Sequence, residues 1–289
     1  EKTIKTKNVK AVISSTYDNR YLYFIPICVW AWNKLGVDVI CFMPEIKDFF
    51  KFESGILTEI DFDNDKRVKL INETMIHKGM KFSMPRFSAP EHKEATYAQC
   101  SRLYGACLDL PEDEVIITSD IDMAVFKVPP FAHLGGFTVL GADLVPDGQL
   151  PMCYATATVK DWRDAFELNG ITYQQALDRL LGEDECQDYR ACRWSVDQEQ
   201  LRIKIFNSNG SINLLTRSNG QNQFAQNRYD RDDQFILDRL SPDTIDFHMN
   251  RPGYEEKNFE IILTILKYHY PQDDFEWLKK YTEEYNKLL

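Results

Sequence analysis

Two carboxylates one residue apart close an apolar run in the stretch EDEVIITSDIDMAVFKVPP, residues 112–130. They are Asp120 and Asp122, and they follow Val115-Ile116-Ile117. Side chains alternate along a strand, so residues i and i+2 point the same way. Both carboxylates are therefore expected on one side where the strand leaves its sheet, the place at which open α/β sheets bind ligands. Two hard oxygen donors there suit Mg²⁺ or Mn²⁺, completed by phosphate and water. The plainer alternative is one aspartate capping a turn beside a solvated one.

Other residues of chemical interest lie far away in sequence. His248 and Arg251 stand in IDFHMNRPGY, residues 245–254, 126 residues beyond Asp122 in the case of the histidine. An imidazole is a suitable metal ligand beside carboxylates. A guanidinium is a planar donor for phosphate oxygens. Arg102 precedes the Asp-Ile-Asp strand in EATYAQCSRLYGACLDLP, where a surface charge is the simplest reading. Asp197, in RWSVDQEQ, falls in the first turn of a predicted helix, where the helix dipole favours an ionised carboxyl. That placement serves helix stability as readily as catalysis. Asp143, in LGADLVPDG, is a second carboxylate of the same kind.

These residues need elements to hold them. VKAVISS (9–15) has the β-branched look of a buried strand. TYDNR follows as a loop, and YLYFIPICVWAWNKLG reads as a helix closed by Gly36, beginning or kinking near Pro26. VDVICFM (37–43) is the next strand, and strand, helix, strand in succession is a βαβ unit of a parallel sheet. Residues 94–111 are predicted helical up to Pro111, and Val115–Ser119 and 137–144 are predicted strands. A helix over 172–182 leads to an acidic loop, 183–192. Ser195 and Gln198 open the following helix at capping-box spacing. NRYDRDDQF, residues 227–235, reads as a solvated charged face. The tail reads as two amphipathic helices broken by Pro271. The expected architecture is α/β, a Rossmann-like, mostly parallel central sheet flanked by helices in a single domain over 1–289. Residues 1–123 would be a nucleotide-binding half, 124–254 an acceptor half with the late metal motif, and 255–289 a helical tail.

Bulk composition narrows the partners. The chain has 289 residues, 44% hydrophobic and 27% charged, enough for a large core without staples. A net charge of −11 argues against nucleic acid as a partner, though a bound cation can invert the field locally. Its seven cysteines include no C-x-x-C pair, which suggests reduced interior thiols rather than zinc. No apolar run approaches transmembrane length, and the opening EKTIKTKNVKAV has no signal-peptide core. A soluble, cytoplasmic protein is expected, and the sequons at Asn72 and Asn209 are read as chance.

Taken together, SRLYGACLDLPEDEVIITSDIDM resembles the core of nucleotide-sugar glycosyltransferases with the GT-A fold. The shared pattern is a helix with an Arg-Leu pair, a Leu-Pro stop, an acidic turn, an apolar strand and D-x-D. FHMNRPG is similar to the late histidine motif of glycogenin-like members, with Arg251 in place of the usual lysine and Gly253 where many have Trp. The resemblance covers roughly residues 9–252 and would suit an enzyme of bacterial or large-DNA-virus type, acting in the host cytoplasm if viral. It implies transfer of a sugar from a nucleoside diphosphate, by preference uridine diphosphate, to an acceptor hydroxyl, as on a glycan. It also implies Mn²⁺ or Mg²⁺ held by Asp122 and His248, with Asp120 binding through water or holding the ribose. Arg251 and Arg102 become diphosphate or nucleotide ligands. The loop Ser15-Thr16-Tyr17-Asp18-Asn19-Arg20 becomes the grip on base and ribose, with Tyr17 stacking and Thr16, Asp18 and Arg20 making polar contacts. An inverting enzyme also needs a base for the acceptor hydroxyl, for which Asp197 is the first candidate and Asp143 the second, with Trp194 as an acceptor platform. A retaining enzyme needs neither base.

Two rival classes remain. Phosphatases of the haloacid dehalogenase type also place D-x-D after an apolar strand, but with Thr or Val where this chain has Ala124 and nearer the start. A binding module that kept the fold without turnover is the other.

Overall fold

A computed structural model of the chain describes residues 9–45, 50–53, 56–59, 65–127, 135–181, 195–217, 228–232 and 234–289. In chain order the first half runs β1 (Val9–Ser14), α1 (Asn19–Leu22), α2 (Ile25–Lys34), β2 (Asp38–Glu45), β3 (Phe50–Glu53), β4 (Ile56–Glu59), α3 (Lys66–His77), β5 (Phe82–Ser83), β6 (Arg86–Ser88), α4 (Glu94–Ser101) and β7 (Val115–Thr118). The second half runs β8 (Met123–Val125), β9 (Phe137–Leu140), β10 (Ala155–Thr158), α5 (Val159–Phe166), α6 (Tyr173–Leu181), α7 (Val196–Asn207), β11 (Ile212–Leu215), β12 (Arg228–Asp230), β13 (Asp246–His248), α8 (Glu256–His269) and α9 (Glu276–Asn286).

The main sheet has the order β11-β9-β10-β7-β1-β2-β5, with β6 also on β2. All of its pairings are parallel except the two made by β10, which runs against β7 and β9. The expected βαβ unit is the pairing of β1 with β2, Val12 lying opposite Ile40. The fold is thus mixed α/β with a mostly parallel central sheet flanked by helices.

Why the strands read as unbroken apolar runs is visible in their packing. Ala11, Ile13, Val115 and Ile117 face one core, which α2, α3, α8 and α9 cover. Val12, Ile40 and Ile116 face a second core, covered by α4, α5, α6 and α7. A sheet dry on both faces has no polar side to alternate with.

Helix boundaries follow local chemistry. Pro26 sits in the first turn of α2, where its missing N–H takes nothing from the helix, so the helix begins there and is not kinked. Gly36, at φ +75°, ends it, with N–H groups of Gly36 and Val37 donating to the carbonyls of Asn33 and Trp32. Two expectations are revised. The helix before the Asp-Ile-Asp strand stops being α-helical at Ser101 and continues as a 3₁₀ segment through Cys107, short of Pro111. The capping box on α7 does not form, because the Ser195 hydroxyl donates instead to Glu199 Oε1 at 2.7 Å. The acidic loop at 183–192 and Trp194 lie outside the described residues. Among the described residues no helix is long and apolar enough to cross a membrane.

A second, three-stranded sheet, β12-β13-β8, leaves the main one at the end of β7. Its back is closed by His269, whose ring stacks on Phe126 at 3.8 Å with Nε2 3.3 Å from the Tyr229 hydroxyl. Burial, aided by the charge of Lys127, lowers the His269 pKa to about 4. The unfolded chain takes up this proton near pH 6.5, the folded chain only near pH 4. The stability this neutral ring contributes is therefore complete above pH 6.5 and is lost as pH falls from there towards 4. Urea unfolding at pH 7 and pH 5 should show His269→Phe losing less stability on acidification than the wild type. Equal losses would mean that His269 is solvated.

Candidate functional site

The Asp-Ile-Asp segment lies where the two sheets meet. β7 ends at Thr118 and β8 begins at Met123, so residues 119–122 carry the chain from one sheet to the other. Ile121 and Asp122 form a turn, and strand alternation does not reach the aspartates. The two carboxylates take different partners. Asp120, its side chain 35% exposed, pairs with Nη1 of Arg102. Asp122 is only 4% exposed. Its Oδ2 lies 2.8 Å from Arg231 Nη1, 3.2 Å from His248 Nε2 and 3.3 Å from Arg251 Nε.

Strand pairing brings these groups together. β13 runs antiparallel to β8 with His248 opposite Met123, and the Met249 N–H donates to the Asp122 carbonyl at 2.8 Å. β12 lies parallel on the other side of β13, placing Asp230 opposite His248. Asp230 Oδ2 is 3.8 Å from His248 Nδ1, and Arg231 is the next residue. Burial would raise the Asp122 pKa, yet the hydrogen bond and charge of His248 and the charges of Arg251 and Arg231 hold it at about 2. Burial works against charge on His248 as well. Carboxylates near both of its ring nitrogens win, raising its pKa above 6.5.

Arg251 is fixed by the turn that follows β13. Its guanidinium lies over the Tyr21 ring, 4.9 Å from the centroid, and donates to the Tyr21 hydroxyl. Gly253 explains why this turn lacks a bulky residue. A Cβ there would sit 2.5 Å from Phe24 Cε1 and 2.8 Å from Tyr23 Cε1. The same aromatic segment is clamped from behind by α9, whose Tyr281 hydroxyl donates to the Tyr23 carbonyl at 3.0 Å. Arg20, Tyr21, Arg231, Asp232, Arg251 and Pro252 line a cavity of about 460 Å³, the size of a small-ligand pocket.

The remaining candidates are placed as follows. Arg102 is buried, not a surface charge, and links Asp120 to Asp197, whose Oδ2 accepts from Nη2 at 2.9 Å. Asp197 is 1% exposed, in the first turn of α7 as expected. Burial pushes its pKa upward against the pull of Arg102. Asp143 lies apart, accepting the Arg217 backbone N–H at 2.8 Å. In the loop after β1, Tyr17 is buried and its hydroxyl accepts from Arg86 at 2.7 Å, which leaves it little open face for stacking. Thr16 accepts the Asp18 N–H, and Asp18 caps α1 while pairing with Arg20 at 2.5 Å.

Sequence reasoning missed Arg231, Asp230 and Tyr21. Within the run at 227–235, Arg228–Asp230 is not simply a solvated face, since Tyr229 is buried and these residues form β12. An aromatic inside a charged run was the available signal.

A divalent ion is the group the resemblance implies at this point. A bond length of about 2.1 Å puts neighbouring ligands of an octahedral ion about 3 Å apart, and Asp122 Oδ2 and His248 Nε2 are 3.2 Å apart. Among the described residues no three His, Cys, Asp or Glu side chains gather as ligands. The donor pair therefore fits a hard ion held at one edge and completed by phosphate and water, not an all-protein cage.

The Arg102–Asp197 pair has a stability consequence. Arg102→Leu leaves the Asp197 charge buried and unpaired and should cost about 3–5 kcal/mol. The double variant Arg102→Leu/Asp197→Leu should recover much of it. A loss below about 1 kcal/mol in the single variant, by denaturant unfolding, would show a solvated surface pair.

No protein-family model matches the sequence, and no curated protein sequence matches it. The fold is similar to the crystal structure of the glycosyltransferase GlyE in Streptococcus pneumoniae TIGR4, at 13% identity and a TM-score of 0.49. The match covers 96% of this chain, which spans 64% of the GlyE chain. It is also similar to the galactosyltransferase LgtC in complex with donor and acceptor sugar analogs, at 11% identity and a TM-score of 0.44, over 83% of this chain and 86% of that one.

Proposed function

We propose that this chain transfers a sugar from a nucleoside diphosphate sugar, with uridine as the base, to a hydroxyl of a glycan or similar acceptor. The observation that supports this most is the convergence at Asp122. A carboxylate and an imidazole 126 residues apart in sequence meet edge to edge, beside a cavity that carries three arginines in a chain of net charge −11. Such a concentration of donors suits an anion with several oxygens, and a diphosphate is one that also recruits a divalent ion.

The chain's own residues would divide the work. Asp122 and His248 would hold Mn²⁺ or Mg²⁺, which when bound would stabilise the negative charge of the departing diphosphate as a Lewis acid. Asp230, behind the other nitrogen of His248, orients that ring. Arg251, immobilised on Tyr21, offers planar N–H donors to the phosphate oxygens. Arg102, backed by Asp197, sets the position of Asp120, leaving that carboxylate partly exposed for a ribose hydroxyl or a metal-bound water. A buried, ion-paired Asp197 suits this positioning role better than that of a base, and Asp143 stands away from the cluster.

Thermal shifts with nucleoside diphosphates, with and without Mn²⁺, provide the test. A ligand at 100 times its dissociation constant adds about 2.7 kcal/mol of stability. Asp122→Ala should remove the metal-dependent part of that gain and abolish turnover of nucleotide sugars. Arg251→Ala should weaken uridine diphosphate by roughly tenfold or more while leaving uridine nearly unchanged, since a hydrogen bond to a charged group is worth about 1.5–3 kcal/mol. Full turnover in EDTA, or nucleotide binding indifferent to both substitutions, would overturn the proposal.

A further inference from the structure

Asp122 carries more positive charge than one carboxylate requires. Arg231, Arg251 and His248 all lie within 3.3 Å of the same oxygen. Two of them have duties elsewhere, Arg251 on Tyr21 and His248 beside Asp230. The Arg231 guanidinium, by contrast, has Asp122 as its one charged partner among the described residues. Its backbone is nevertheless held firmly. The preceding residue is paired in β12, and the Asn250 side chain donates to the Arg231 carbonyl at 3.2 Å. With its backbone fixed and one charged partner among the described residues, the guanidinium has room to pivot. Within its reach is the cavity that it already lines with Arg20 and Arg251.

We propose that Arg231 is the resident counter-ion of Asp122 and exchanges places with the divalent ion, turning its guanidinium to the diphosphate as the metal takes the carboxylate. This rests on the reading of the cluster as a metal and diphosphate site, and it adds a residue and an order of events to that reading. The physical reason is charge balance. With the ion absent, Arg231 compensates a buried carboxylate that would otherwise draw in water or a proton. With the ion present, a guanidinium and a metal on one oxygen repel each other, and the arginine moves to the nearest anion.

The exchange separates two affinities that a static role would not. Arg231 competes with metal for Asp122 and cooperates with diphosphate in the cavity. Titrating Mn²⁺ alone, followed by electron paramagnetic resonance of the free ion, should show Arg231→Gln binding about tenfold more tightly than wild type. Inorganic pyrophosphate alone, followed by calorimetry, should bind the same variant at least about fivefold more weakly. Arg231→Lys keeps the charge and should stay near the wild-type Mn²⁺ affinity, which separates charge competition from a folding defect. Asp122→Ala is the control for the site. If it abolishes Mn²⁺ binding while Arg231→Gln leaves the Mn²⁺ affinity at the wild-type value, the exchange is wrong and the metal site stands. If Asp122→Ala leaves Mn²⁺ binding intact, both the metal site and the exchange are overturned.

Discussion

A carboxylate removed from water must be answered by charge at close range, and at Asp122 the answer comes from three separate parts of the chain. Histidine 248 arrives on β13, Arg231 from the end of β12, and Arg251 from the turn beyond β13. None could be near Asp122 without the small sheet that leaves the large one at residues 119–122. Burial alone would raise the carboxyl's pKa, so the ionised state depends on those cations staying in place. The register of β8 against β13 is in this sense an electrostatic requirement as much as a packing one.

The second aspartate shows what happens when the chain turns between two like charges. Asp120 is drawn by Arg102 towards the second core, and Arg102 in turn is held by Asp197 at the start of α7. Two carboxylates one residue apart therefore answer to different cations and feel different surroundings, one largely dry and one partly open to solvent. This division leaves Asp120 the more accessible of the two carboxylates. It also spreads the site across both sheets, so that a change in α7 would be felt at Asp120.

The aromatic segment after β1 supplies the remaining constraint. Tyr21, Tyr23 and Phe24 sit between the Arg251 turn and the final helix, stacked and hydrogen-bonded on both sides. Gly253 admits the close approach, and a side chain there would push the arginine turn away from the pocket. The C-terminal helices thus do more than cover a core. They set the wall against which Arg251 is aimed.

Much of this was legible in the residues themselves. Apolar runs at 9–15, 37–43 and 115–119 read as strands, and β1, β2 and β7 form within two residues of those bounds because both sheet faces are dry, while Pro26 and Gly36 mark a helix because one lacks an N–H and the other tolerates positive φ. That Asp122, His248 and Arg251 belong to one cluster was legible too, since residue types that bind metal and phosphate recur in only a few places. What the sequence could not specify was direction. Strand alternation put Asp120 and Asp122 on one side, whereas the chain had already left the strand at Thr118 and the two carboxylates took different partners. Arg102 looked like a surface charge because its partners Asp120 and Asp197 lie 18 and 95 residues away. Arg231 looked like part of a solvated run because its carboxylate stands 109 residues earlier. Local pattern reports what each residue prefers within a few neighbours. Which charges meet is decided by strand pairing across distant segments, and that exists only once the sheets have formed.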